Sequence, residues 1–320
     1  MKWSDFDLAS IPRGSKTRLS LDVATDCSLP VLAVRGRHEG RRLVVSAGVH
    51  GDEYEGMRAI HELFDALDPA EMSGDLLAVP FANPPAFWNG TNTSPSDGKN
   101  LARVFPGDPA GTLTPQLAHA FGQKIIRGAD LYVDLHSGGT SYSMPSMVGY
   151  CSTDERSRCA AEVFGAPVIW SHPTVAAGRT VSFAQDQGIP WLYTEARGAG
   201  RIYPDDLRMK KQGIVNLLRH LAILPGAPEP GPKPLRLHGA GDTDQGLAST
   251  RAGFLHNHVQ ILEMVTKGQL LGRLVNLSGE LLEEYRAPSH GVVGLVHELP
   301  LVHAGEPLFL LAAEDSANGV

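Results

Sequence analysis

The chain is poor in cysteine. Its three thiols, Cys27, Cys151 and Cys159, are spread over 320 residues with no Cys-x-x-Cys pair, which excludes a disulfide framework. It has no surplus of positive charge: 28 Lys and Arg against 35 Asp and Glu give a formal net charge of −7. A chain that repels polyanions on average excludes nucleic acid as a main partner. Any apolar run of about 18 residues is missing too, so no membrane span is expected. Residues 1–18 carry early acids and no apolar stretch of the signal-peptide kind. The expectation is a cytoplasmic protein with reduced thiols.

What the chain does have is ordinary core material and much punctuation. Hydrophobic residues reach 42 %, enough for a sizeable core, and 35 Gly with 23 Pro imply many turns short of disorder. At roughly 100–200 residues per domain, the length suggests two. The boundary falls at residues 224–234, where five prolines in eleven residues make a semi-rigid linker. The expected division is a catalytic domain over 1–224, a linker over 225–234 and a second domain over 235–320.

Before the linker, apolar strand-like runs alternate with helical patterns. Leu43 to Val49 is β-rich, and Met57, Ile60, Leu63, Phe64 and Leu67 then recur at helical spacing. Strands are expected at 75–80, 131–135, 167–170 and 190–194. Helices are expected around Leu117, Phe121 and Ile125, over Asp154 to Phe164, and after Asp205 with Leu207, Ile214, Leu217, Leu218 and Leu221 inward. This alternation implies an α/β fold, a mostly parallel or mixed sheet flanked by helices. After Pro234, short Val, Leu and Ile runs separated by glycines imply a smaller all-β domain.

Three polar groups follow strands of the first half, where open α/β sheets place their ligand sites. Gly48-Val-His50-Gly-Asp-Glu53 sets an imidazole and a carboxylate three residues apart on a turn. Asp134-Leu-His136-Ser-Gly-Gly139 ends a strand on a histidine, with glycines that let the chain turn away. Tyr193-Thr-Glu195-Ala-Arg197 puts a carboxylate at the end of another. Two histidines and a carboxylate on one metal leave a position open for water, the arrangement of a hydrolytic site.

In order and spacing, GVHGDEYEG, DLHSGG and TEARG resemble the succinylglutamate desuccinylase/aspartoacylase family, zinc deacylases related to the metallocarboxypeptidases. The resemblance covers most of residues 40–220, and the β module fits the family's two-domain layout. It implies a carboxypeptidase-like catalytic fold and a zinc ion held by His50, Glu53 and His136. Glu195 is then the general base and acid, and Asp134 the partner that orients an imidazole. In the stretch from Gly90 to Gly107, Arg103 matches the arginine that grips a substrate carboxylate, with Asn100 close by. Ala102 stands where an asparagine usually helps that grip, and Asn92 where an oxyanion-stabilising arginine is often found. Arg197, Arg201 or Arg179 is left to substitute for that arginine, or Arg197 to pin Glu195. The implied partner is a small N-acylated amino acid or related amide, and the resemblance is compatible with a homo-oligomer.

Two alternatives stay open at this stage: a carboxypeptidase acting on short peptides, and a catalytically silent metal- or metabolite-binding member. Other residues read as structural. His61, His119 and His172 are expected in helices or loops, and His256 and His258 on an exposed strand. Tyr285 and Arg286 belong to a solvated strand, with a lid over the catalytic mouth as the lesser reading. The β module resembles biotinyl/lipoyl-type barrels. Its hairpin tip, residues 275–280, has no acceptor lysine, which argues against a carrier role.

Overall fold

In the computed structural model, which describes residues 1–315, the chain begins with β1 (Ser15–Ala24), β2 (Cys27–Arg35) and β3 (His38–Ala47). Then come α1 (Tyr54–Ala66), β4 (Ser73–Val79), α2 (Pro84–Asn89), α3 (Leu113–Phe121), β5 (Leu131–Leu135), β6 (Tyr142–Ser143) and β7 (Met147–Cys151). The first half closes with α4 (Glu155–Phe164), β8 (Val168–His172), α5 (Thr180–Asp186), β9 (Trp191–Glu195) and α6 (Pro204–His220). The large sheet runs β1-β2-β4-β3-β5-β9-β7-β8 and onward into the C-terminal half. Its central strands β4, β3, β5 and β9 are parallel, while β7 runs antiparallel to β9 and the β1–β2 hairpin forms the edge. It is the mixed sheet flanked by helices that the sequence implies.

Local chemistry explains these elements. The inner part of β3 and all of β5 are buried on both faces, so they read as continuous apolar runs. The Asp154 side chain caps α4 by accepting from the Arg156 N–H at 2.9 Å, and Gly165 ends it at φ 83°. Helices α1, α4 and α6 pack on one face through Met57, Phe64, Phe164 and Leu217. Helices α3 and α5 cover the other through Phe121 and Phe183. The chain passes from β3 to β4 on one side, then returns to β5 on the other side of β3. Strand order therefore reverses between β3 and β5, and the crevice beyond their carboxyl ends is where such sheets bind ligands.

Three elements differ from the sequence reading or extend it. The strand expected at 167–170 continues to His172, which ends β8 instead of standing in a loop. Strand β7 and helix α5 are short and mostly buried, with no period long enough to mark them. The helix around Leu117 finishes as a π-helical turn, Gly122–Ile126.

The proline-rich segment carries no helix or strand and is fastened to α6. Asn216 exchanges two hydrogen bonds with the Glu229 backbone, both 2.9 Å. Strand β10 (Leu235–His238) then joins the catalytic sheet, parallel to β8 and antiparallel to the last strand. The remaining strands are β11 (Leu247–Ala248), β12 (Gly253–Asn257), β13 (Met264–Val265), β14 (Leu270–Val275), β15 (Leu281–Arg286), β16 (Gly291–His297), β17 (Leu301–Val302) and β18 (Pro307–Glu314). A separate antiparallel sheet, β15-β14-β12-β17, completes the C-terminal part. Strand β6 of the first half adds to β16, with His297 opposite Tyr142. Between the two halves lies an apolar cluster centred on Trp170, with Met147, Leu237, Leu295 and Leu310.

Trp170 is 1 % exposed. Trp170→Ala is expected to cost about 3–5 kcal/mol, the usual range for removing a buried ring, read as a lower urea midpoint against wild type.

Candidate active site

Neighbouring strands β3, β5 and β9 deliver the three motifs to one rim. His50 follows β3 by three residues, His136 follows β5 directly and Glu195 is the last residue of β9. Side by side, β5 and β9 pair Leu135 with Thr194, and the His136 N–H donates to the Thr194 carbonyl at 2.8 Å.

The Glu53 carboxylate receives both imidazoles. His50 Nδ1 lies 2.7 Å from its Oε1 and His136 Nδ1 2.8 Å from its Oε2. Burial pushes the Glu53 carboxyl up, but the two imidazoles outweigh it and bring it down to about 2. Against the effect of burial, the charge of Asp134 and then that of Glu53 raise His136 well above its ordinary value. One ligand atom from each of His50, Glu53 and His136 falls within 4.8 Å of the others. Three lone-pair donors converging in a buried pocket fit a divalent cation, and imidazole with carboxylate suits transition metals.

Outer contacts fix the rings. His136 Nε2 sits 3.0 Å from Asp134 Oδ2, and Asp134 is fully buried, bonded to Ser46 Oγ at 2.6 Å and to the Thr180 hydroxyl. Burial would raise the Asp134 carboxyl, yet His136 and these hydroxyls bring it below its usual range. Orienting an imidazole through its second nitrogen in this way fixes the ring and raises its basicity. His50 Nε2 sits 3.2 Å from Asn100 Oδ1, so Asn100 steadies His50 from the opposite side.

Glu195 is enclosed beside these ligands. Burial, reinforced by the Glu53 charge, pushes its carboxyl up to about 8 against the pull of His136 and Lys210. Its Oε2 is buried and has no hydrogen-bond partner among the described residues. A carboxyl that is partly shielded, with an unpaired Oε2, and shifted towards neutrality has the properties of a general base and acid.

Beneath the rim is a group that sequence reasoning passed over. Lys210 of α6 is fully buried and donates to the His136 carbonyl at 2.6 Å and to Thr194 Oγ1 at 2.7 Å. It faces Glu55 of α1, whose carboxyl is raised chiefly by burial. The signal was available: Lys210 lies between Leu207 and Ile214 on the inward stripe of α6, where a lysine needs buried partners.

The cavity around the site has a volume of about 430 Å³ and also takes in Asn92, Asn100, Arg103, Arg179, His172, Tyr193 and the loop Ala240–Asp244. Arg103 forms a two-pronged ion pair with Asp244, both bonds 3.0 Å, and its Nη1 donates to the Ala102 carbonyl at 3.1 Å. Arg179 pairs with Asp242 at 2.7 Å. Asn92 accepts from Asn100 Nδ2 at 3.1 Å. Of the three arginines considered for the oxyanion, only Arg179 lines the cavity. Arg197 does not: Asp206 takes its Nε at 3.1 Å and Tyr203 lies under its guanidinium. Neither pinning Glu195 nor gripping substrate agrees with that placement. Tyr285 packs on Phe309 within the C-terminal core, and Arg286 pairs with Glu284, so neither forms a lid. His256 and His258 are exposed.

His172 was read as an ordinary residue, yet it lines the cavity. Its Nδ1–H donates to the Gly239 carbonyl at 2.8 Å, which leaves Nε2 to accept from the Tyr193 hydroxyl at 2.8 Å. Burial lowers it to about 4. Gly241 presses against the ring, where any Cβ would overlap it, and its φ of 61° independently calls for glycine.

An α/β fold that aims two histidines, a carboxylate and a second, unpaired carboxylate into one cavity has the donor set of a metal-assisted hydrolase site. The chain belongs to the succinylglutamate desuccinylase/aspartoacylase family, whose catalytic-domain description matches residues 39–221. It is 32 % identical to the N-alpha-acetyl-L-2,4-diaminobutyric acid deacetylase of Halomonas elongata, over 96 % of this chain and 93 % of that one. Among solved structures it is similar to the product-bound ectoine utilization protein EutE (DoeB) of Ruegeria pomeroyi, with 29 % identity and a TM-score of 0.86. That match covers 95 % of this chain and 98 % of the other. It is also similar to a succinylglutamate desuccinylase/aspartoacylase from Rhodobacter sphaeroides: 28 % identity, TM-score 0.85, 97 % and 98 % covered. Among the described residues, no helix is long and apolar enough to cross a membrane.

Two outcomes are expected. Elemental analysis should find one divalent metal ion per chain in protein supplied with zinc, and none in His136→Ala of unchanged circular dichroism. The depressed His172 pKa sets a pH dependence of stability. The unfolded chain takes up this proton below about 6.5 and the folded chain only near 4. Stability is therefore intact above about pH 6.5 and lost as pH falls towards 4, by on the order of 3 kcal/mol from this group. Urea unfolding at pH 7 and pH 4.5 should show a smaller loss in His172→Gln than in wild type.

Proposed function

We propose that the chain is a zinc-dependent deacylase that removes the acyl group from a small N-acylated amino acid, with an N-acetylated diamino acid as its substrate. The observation that carries this reading is the convergence of His50, Glu53 and His136 beside the unpartnered Glu195 Oε2. Two relatives support the substrate: a diaminobutyric acid deacetylase, and an ectoine utilization protein with bound product.

His50, Glu53 and His136 would hold the zinc, which when bound would supply Lewis acidity for a scissile carbonyl and lower the pKa of a water. Asp134 and Asn100 keep the two ligand rings in place through their outer nitrogens. Glu195 Oε2 takes a proton from the attacking water and delivers it to the leaving amine, which turns a poor leaving group into a neutral one. Arg103 binds the substrate carboxylate. Of its five N–H groups, two engage Asp244 and one the Ala102 carbonyl, which leaves one on each terminal nitrogen as a fork for a carboxylate. Arg179 provides the cation that Asn92 does not, next to the developing oxyanion.

Zinc-loaded protein should hydrolyse Nα-acetyl amino acids in preference to dipeptides, measured as amine release. Glu195→Gln should keep its metal and lose about 10²- to 10⁴-fold in kcat, the range for removing a general base. Activity confined to dipeptides would overturn this reading in favour of a peptidase. Bound zinc without turnover of any N-acyl compound would leave a binding protein.

A further inference from the structure

The charges lining the cavity do not cancel. Apart from the metal-site carboxylates Glu53, Asp134 and Glu195, two arginines meet four acids: Asp52, Asp242, Asp244 and Glu306. Asp242 and Asp244 are matched by Arg179 and Arg103. Among the described residues, Asp52 and Glu306 are not matched by any lysine or arginine.

Asp52 is 7 % exposed. Its Oδ2 accepts from the Thr140 N–H and hydroxyl, both 3.0 Å, while its Oδ1 is buried without a partner. Glu306 comes from the C-terminal half, just before β18, and is about one-third exposed. Its Oε2 accepts from the His303 N–H at 2.8 Å and stands 3.4 Å from His297 Nε2. That histidine donates from Nδ1 to the Leu299 carbonyl; burial lowers its pKa while Glu306 pulls it back up, so it is a weaker counter-charge than a lysine or arginine. Tyr142 lines the same cavity, edge-on to the His297 ring. Burial first, then the charges of Glu306 and Asp52, push its phenol up to about 12. Asp52, Tyr142 and Glu306 all line this one cavity.

We infer that Asp52, Glu306 and Tyr142 form a subsite for a substrate ammonium, which selects N-acylated diamino acids with a free second amine over N-acylated monoamino acids. The inference rests on the deacylase reading and assigns its specificity to named side chains. An ammonium offers three N–H donors and one positive charge. The subsite offers the free Asp52 Oδ1, the Glu306 carboxylate and the Tyr142 oxygen. A buried carboxylate oxygen without a partner is costly, and an ammonium removes that cost where a methyl group cannot. The substrate carboxylate goes to the free fork of Arg103, so a zwitterionic substrate answers both the arginine and the acidic subsite and an anionic one only the arginine. The C-terminal half is then part of the recognition machinery, through Glu306.

The test compares Nα-acetyl-2,4-diaminobutyrate with Nα-acetyl-2-aminobutyrate, which has the same backbone and no ammonium, on zinc-loaded full-length protein. Wild type should prefer the first in kcat/KM by at least about tenfold, the scale of one well-placed charge pair. Glu306→Gln, which keeps the side chain's size and an acceptor oxygen at a position about one-third exposed, should lose most of that ratio, mainly through KM. Asp52→Asn should lower it too. Calorimetry with free 2,4-diaminobutyrate and 2-aminobutyrate gives a second readout, with the same preference expected in wild type and its loss in Glu306→Gln. Equal treatment of both substrates by wild type, or a ratio unchanged in Glu306→Gln, would overturn the subsite while the deacylase reading stands. If wild type hydrolyses no N-acetyl amino acid, the deacylase reading fails. Calorimetry then decides the subsite alone: a diamino preference lost in Glu306→Gln supports it, and equal binding overturns it.

Discussion

A carboxylate shut away from water between two imidazoles organises this molecule. Glu53 is 5 % exposed, and an ion so placed is unfavourable by several kcal/mol unless neighbours neutralise it and fill its lone pairs. Each nearby feature meets part of that demand. His50 and His136 take one oxygen each, Asp134 and Asn100 hold the two rings from behind, and Ser46 and Thr180 hold Asp134. Lys210 adds a buried positive charge below, tied to the backbone from which His136 projects. These groups come from β3, β5, α5 and α6, so the ends of the central strands cannot shift without breaking contacts to a buried charge.

A second balance operates at the mouth. Arg103 and Arg179 belong to the catalytic half, but the carboxylates that face them lie in a loop reached only after the proline-rich segment. His172 holds the start of that loop through the Gly239 carbonyl, and Gly241 allows the close approach. The β module is therefore joined to the site by hydrogen bonds and ion pairs as well as by the shared sheet. Trp170, packed between the halves, supplies the apolar side of the same joint.

Much of the architecture was legible because its signals are local. Strand β5 and helix α4 follow from a short apolar run and from Asp154 and Gly165 at the helix ends. The convergence of His50, Glu53 and His136 was legible since each stands at a strand's end, and the topology of parallel strands gathers such ends. Long-range pairing left no mark of that kind. Nothing near Arg103 announces Asp244, 141 residues away, as its partner. Arg197 looked equally suited to the site, yet Asp206, nine residues on, turns it aside. His172 was read by residue type and not by position, and Lys210 was not read at all. One ends a strand and the other interrupts an apolar helical stripe, the two places where a polar side chain is obliged to find a buried partner.

The late return of the chain to the catalytic sheet also sets an order of events during synthesis. All the metal-binding candidates and Glu195 have left the ribosome by residue 224, and amino-terminal units fold first. Asp242, Asp244 and Glu306 emerge only afterwards. Until they do, Arg103 and Arg179 lack the carboxylates that pair with them in the finished chain. The mouth of the cavity is therefore completed by the last quarter of the chain to be synthesised.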